Sequence, residues 1–205
     1  ANSITNKDIA DMWIHESFTN YSESLFVEYY YGKEAGFEYV RGTRKGIDND
    51  KPIIGHYDVN SEGSSDMYPK GGNMLHTLRQ IVNNDEKWRE ILRGLNSTFY
   101  HQTVTTKQIE DYLSNATGVN LTAFFNQYLR DTRIPTLEYF FKKGFINFRW
   151  TNCVSGFDMP VKVILNGAEQ VLAPKTEWKN IATKTENQKL DVNRNFYVAS
   201  FNITE

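Results

Sequence analysis

The sequence has little of several things, and each scarcity excludes something. A single cysteine, Cys153, rules out a disulfide within the chain. In its β-rich surroundings it reads as a small buried hydrophobe. No run approaches the roughly 18 apolar residues that a helical membrane span requires. Neither sign of charge dominates: a formal net charge of -2 offers no electrostatic reason to expect nucleic acid or an anionic membrane surface as partner. The densest basic cluster, Arg41, Arg44 and Lys45, fits a solvated helix face. Internal repeats and low-complexity segments are also lacking. What is plentiful is core-forming material, with 40% hydrophobic and 14% aromatic residues in 205, enough for one large or two small packed domains.

The hydrophobic period divides the chain in two. Residues 5–31 read as one long helix, with Thr5 as N-cap, Asp8 as an acidic first-turn residue, and Ile9, Met12, Trp13, Phe18, Tyr21, Leu25, Phe26 and Tyr29 at helical spacing. Gly32 supplies the stop. A second helix is expected over 33–44, and the turn-rich stretch 60–66 is expected to be loop. The period of 3.6 returns at Lys70 with Met74, Leu75, Leu78 and Ile81, and again over 84–95 with Trp88, Ile91 and Leu92. Thr105 and Gln108 form a capping box ahead of Ile109, Tyr112 and Leu113. Asn120 caps a last helix carrying Leu121, Phe124, Phe125, Tyr128 and Leu129.

At Ile134-Pro135 the period switches to two. Strands are expected over 137–141, 146–150, 161–165 and 196–201, and Asn166-Gly167 reads as a tight hairpin turn leading into 170–172. A small β-sandwich from residue 136 onward is the natural packing.

The stretch 2–19, Asn-Ser-Ile-Thr-Asn-Lys-Asp-Ile-Ala-Asp-Met-Trp-Ile-His-Glu-Ser-Phe-Thr, resembles the aminopeptidase N family of gluzincin zinc metallopeptidases. In that family an H-E-x-x-H helix is followed by G-N, a V-T or I-T pair, and a Trp-rich helix ending in N-E-G-F-A. Asn2 matches the Asn of G-N, Ile4-Thr5 the V-T pair, and His15-Glu16-Ser17-Phe18-Thr19 the N-E-G-F-A box. Met67-Tyr68-Pro69-Lys70-Gly71 is similar to the family's Y-x-K-G segment, and 121–129 to a helix near the end of its catalytic domain. The resemblance implies an α+β fold: residues 1–135 as the helical C-terminal part of a thermolysin-like catalytic domain, and 136–205 as the β-sandwich domain that follows it.

The same resemblance implies a function and its residues. Glu16 would be the third zinc ligand, completing the set of two histidines and one carboxylate that leaves a position for water. Tyr68 would aim its phenol at the oxyanion of the tetrahedral intermediate. The substrates would be peptides, shortened from their amino terminus by metal-activated water. No H-E-x-x-H occurs in the 205 residues. The chain is therefore expected to be a C-terminal portion whose N-terminal half carries the histidines, the general base and the Gly-x-Met-Glu-Asn box. Ala1, standing where the family has Gly, is expected not to be a native start. Alone, the chain is expected to be inactive and not to retain zinc.

A non-catalytic peptide- or protein-binding module of a pseudo-peptidase stands as the alternative, decided by whether H-E-x-x-H precedes Asn2. Other positions carry less. Asn20, one turn after Glu16, is placed to orient a zinc-binding histidine or simply to face solvent. His15 points about 100° away from Glu16 on a helix and need not touch a metal. His56, His76 and His101 share no ligand spacing. Five Asn-x-Ser/Thr triplets, among them those at Asn96 and Asn115, are common by chance.

Overall fold

The computed structural model describes residues 3–184 and 188–203, in two compact units that meet at Thr132 and Arg133. Ala1 and Asn2, on which part of the family resemblance rests, lie outside the described residues.

The first unit is helical. Its chain does not enter a helix at Thr5, as the apolar spacing suggested. Instead β1 (Ile4–Asn6) pairs in parallel with β2 (Gln102–Val104), and a 3₁₀ turn, Ile9–Asp11, follows. Asp8 caps that turn, its carboxylate accepting from the Ala10 amide at 2.9 Å. Only at Trp13 does α1 begin, running Trp13–Tyr31, because the strand pairing has claimed the backbone upstream. Gly32, at φ 93°, ends it.

Helix α2 (Lys33–Gly42) gives way to a 3₁₀ turn over Thr43–Gly46, short of the expected end at Arg44. The loop of residues 60–66 closes in another 3₁₀ turn, Ser65–Met67, with the Ser64 hydroxyl capping Asp66. Pro69 then opens α3 (Pro69–Val82), a favourable first helical residue because its missing N–H would go unused there. Asn84 caps α4 (Asp85–Thr98), and the capping box at Thr105 and Gln108 starts α5 (Thr106–Thr117) as its spacing implied. Asn120 accepts from the Thr122 amide at the start of α6 (Thr122–Arg130).

The core of this unit gathers Trp13, Tyr21, Met74, Leu75, Leu78, Trp88, Ile109 and Leu113, all at most 1% exposed. Its polar atoms are matched from distant segments. The Trp13 indole donates to the Thr106 hydroxyl at 2.7 Å, and the Trp88 indole to the Tyr21 hydroxyl at 3.2 Å.

Across four helices a charged network is drawn in. Arg79, its side chain 5% exposed, donates from Nη2 to Glu28 at 2.8 Å and from Nε to Asp85 at 2.9 Å, while Lys33 reaches Asp85 at 2.7 Å. Burial pushes the Asp85 carboxyl up, but hydrogen bonds and charge from Arg79 and Lys33 outweigh it and hold the group at about 2. Arg79→Met should cost about 3 kcal/mol, the lower end for a broken buried ion pair because Glu28 and Asp85 keep some solvent. Since the Asp85 pKa is depressed on folding, its contribution is present above the ordinary carboxylate value near 3.8 and is lost as pH falls through about 2. Thermal melts of the wild type and the variant should therefore differ by less at pH 2 than at pH 7.

The second unit is built of two sheets. The first has the order β7-β4-β3-β9 and the second β6-β5-β8. The strands are β3 (Thr136–Lys142), β4 (Phe145–Thr151), β5 (Val161–Leu165), β6 (Ala168–Leu172), β7 (Lys179–Ala182), β8 (Leu190–Val192) and β9 (Ala199–Asn202). Strands β3 and β4 pair antiparallel, placing Leu137 opposite Trp150 and Tyr139 opposite Phe148 on the buried face. From the other sheet Val161, Val163, Leu165 and Leu190 are buried, which is the sandwich that alternation implied. Asn166 and Gly167 adopt φ of 51° and 84°, the double left-handed geometry of a type I′ turn, with Leu165 paired to Ala168 across it.

Two sequence expectations fail in this unit. Phe196, Tyr197 and Val198 are not strand: Phe196 and Tyr197 are buried from a turn, and pairing begins at Ala199. Cys153 sits half-buried in the bend after β4, not within a strand.

Candidate functional site

Glu16 lies in the first turn of α1, where the amide dipoles of the helix favour an acidic side chain. Three features bring α3 close to this turn. A Cβ built on Gly71 would come within 1.9 Å of the Ser17 hydroxyl, and one on Gly72 within 2.5 Å of the Asn20 side-chain oxygen. The Ser17 hydroxyl donates to the Met67 carbonyl at 2.7 Å. Two adjacent glycines thus let α3 approach the polar face of α1 more closely than any side chain would allow.

That approach puts Tyr68 beside Glu16. Tyr68 stands between the 3₁₀ turn Ser65–Met67 and the first residue of α3, and is 43% exposed. Partial burial pushes the Tyr68 phenol above its ordinary value, the nearby Glu16 carboxylate pushes it further, and Glu62 acts in the same direction. At neutral pH Tyr68 is therefore a neutral donor, which is the form an oxyanion can use.

The segment around Tyr68 is pinned on both sides. Upstream, the Asp66 carboxylate accepts from the Asp48 and Asn49 amides at 2.9 and 2.7 Å. Downstream, Lys70 is fully buried and its ammonium donates to the Asp131 carbonyl at 2.9 Å. Burial lowers the Lys70 pKa, opposed by the charges of Asp66, Asp131 and Asp50. Sequence reasoning missed Ser17 and Lys70 as parts of this arrangement. The small residues in Lys70-Gly71-Gly72, recurring opposite Ser17 on a second amphipathic helix, were the available signal.

The other sequence candidates lie apart. His15 faces away from Glu16, its Nε2 accepting from the Asn6 amide at 3.2 Å, and burial lowers its pKa. Asn20 packs against Gly72. His76 is buried edge-on to Phe37, with centroids 4.6 Å apart, His101 stacks on Tyr100, and His56 is exposed. A groove of about 360 Å³ runs along the flank of α1 between Ile14, Phe18, Leu25, Leu92 and Leu95. Neither Glu16 nor Tyr68 lines it, so the open apolar surface adjoins the pair and does not contain it.

No group of three or more His, Cys, Asp and Glu able to hold a metal ion occurs among the described residues. A catalytic zinc takes typically three protein donors. Glu16 could offer one carboxylate, so the described residues by themselves do not fit the ion.

Residues 1–128 match the model of the peptidase family M1 domain. The chain belongs to peptidase family M1. This M1 chain also shares its fold with aminopeptidase A of Legionella pneumophila, a structure solved in complex with aspartic acid, at a TM-score of 0.72 and 12% identity. The likeness covers 99% of the M1 chain and 25% of the Legionella protein, so the chain spans about a quarter of the length of that neighbour. At this identity the likeness concerns the fold: a helical part followed by two sheets, as in the C-terminal region of an aminopeptidase. No helix among the described residues is long and apolar enough to cross a membrane.

Proposed function

We propose that this chain is the portion of a zinc-dependent aminopeptidase that supplies one metal ligand, Glu16, and the oxyanion donor, Tyr68. The observation that carries the reading is the close approach of α3 to the first turn of α1, sealed by the hydrogen bond from Ser17 to the Met67 carbonyl at 2.7 Å, which brings the Tyr68 phenol under the charge of a Glu16 carboxylate 52 positions away. Zinc, when bound, supplies an activated water and polarises the scissile carbonyl. Glu16 offers a carboxylate oxygen held by the first turn of α1. Tyr68 offers a neutral phenol on a turn fixed by Asp66, Ser17 and Lys70, so that it need not reorganise as charge develops on the substrate. The histidine donors and the general base would come from outside these residues, and peptide substrates would enter against the same face. Residues 1–135 would then belong to the catalytic domain and 136–205 to the β-sandwich that accompanies it.

The test is hydrolysis of unblocked peptides by the protein that carries this chain. Release of N-terminal residues, abolished by a zinc chelator, is expected. Peptide binding without cleavage would make the chain a non-catalytic binding module. For the 205-residue chain alone, calorimetric titration with zinc at neutral pH should reveal no stoichiometric tight site, because one carboxylate cannot supply the ligand set. A submicromolar one-to-one event abolished by Glu16→Ala would show that the ligands are misplaced.

A further inference from the structure

Glu16 and Ser17 are successive residues of α1, and Met67 and Tyr68 are successive residues of the turn before α3. One buried hydrogen bond joins the two pairs: Ser17, 0% exposed, donates to the Met67 carbonyl at 2.7 Å. The Tyr68 side chain itself is 43% exposed and free to rotate about two bonds, so its place beside the Glu16 charge depends on how its backbone is held. Met67 ends a 3₁₀ turn, and a terminal carbonyl of this kind lacks a partner within its own turn unless something else supplies one. Because consecutive Cα atoms are about 3.8 Å apart, a carbonyl anchored at Met67 leaves the Tyr68 backbone almost no room to drift from Glu16.

Alternative reasons for a buried hydroxyl here are weak. Serine in a helix interior ordinarily bonds back to a carbonyl of its own helix, as the Ser24 hydroxyl does to Tyr21. Ser17 bonds outward, to another element. The Gly71 backbone opposite it admits the hydroxyl and nothing larger, since a Cβ there would lie 2.6 Å from the Ser17 Cβ.

We propose that Ser17 is a positioning residue: its hydrogen bond to the Met67 carbonyl sets the Tyr68 hydroxyl relative to Glu16 for the peptidase reaction. This rests on the reading of Glu16 and Tyr68 as parts of one catalytic site. Ser17 touches no reacting atom and acts through Tyr68. Removing its hydroxyl should leave substrate binding intact and misplace the oxyanion donor.

The experiment is a double-mutant cycle in the active protein that carries this chain, using Ser17→Ala, Tyr68→Phe and the combination. Ser17→Ala should lower kcat roughly tenfold, within the range that small misplacements cost, and leave KM within about twofold. In the Tyr68→Phe background the same change should cost nothing further, because the group it positions is gone. Circular dichroism and melting confirm that each variant is folded. Unchanged kcat in Ser17→Ala, or an equal further loss in the Tyr68→Phe background, would overturn the role of Ser17 alone. Near-normal turnover in Tyr68→Phe would overturn the peptidase site and the role of Ser17 with it.

Discussion

Replacing Tyr68 with phenylalanine should lower turnover of the complete enzyme by about 10² to 10³, the cost of deleting one oxyanion donor, while KM changes little. The split follows from where the hydrogen bond is made. Before reaction the Tyr68 side chain is 43% exposed to water, so a substrate carbonyl gains little by replacing one neutral hydrogen bond with another. As the carbonyl oxygen acquires charge, the phenol becomes worth more to it than in the ground state, and that difference appears in kcat. Steady-state kinetics on an unblocked peptide measure both constants. A raised KM with unchanged kcat would mean that Tyr68 only binds substrate. Normal values for both would dismiss it as an ordinary exposed turn residue.

The second large effect concerns Glu16. Glu16→Ala in the complete enzyme should release zinc and abolish turnover, since a three-ligand site that loses its carboxylate keeps two donors and a widened opening. Metal analysis after gel filtration reads this without reference to activity. Retention of one zinc per protein would assign the third ligand elsewhere. The change should cost little stability in the metal-free chain, because Glu16 is only half-buried and its neighbour Tyr68 is already 43% exposed to water. A large drop in melting temperature for Glu16→Ala in the isolated chain would show that the carboxylate is structural.

What could be read from residues alone was whatever is local. Thr105 and Gln108 satisfy one another across three residues, and Asn166-Gly167 needs only its own two left-handed conformations, so both were visible without knowledge of the rest. The period change at Pro135 likewise reflects local alternation, and the two compact units meet near it, at Thr132 and Arg133. Glu16 and Tyr68 are proposed together through motif resemblance, which carries distant information that no periodicity contains. The start of α1 was not legible: Ile4–Asn6 joins a partner strand at Gln102–Val104, and such a pairing leaves no trace in the apolar spacing that made residues 5–31 look like one helix. Phe196 and Tyr197 misled for the opposite reason. Aromatic residues favour strands because they pack on half-buried surfaces, and these two reach the core from a turn instead. The contact between Ser17 and Met67 depends on how closely α3 crosses α1, which Gly71 and Gly72 permit but do not announce.

The central claim is that Glu16 and Tyr68 face one zinc ion. A crystal structure of the complete enzyme, with anomalous data collected across the zinc absorption edge, tests it most directly. The expected result is a single zinc peak about 2.0 to 2.2 Å from a Glu16 carboxylate oxygen, with the Tyr68 hydroxyl turned toward the open coordination position. A zinc held entirely by other side chains, with Glu16 turned away from the ion, would contradict it.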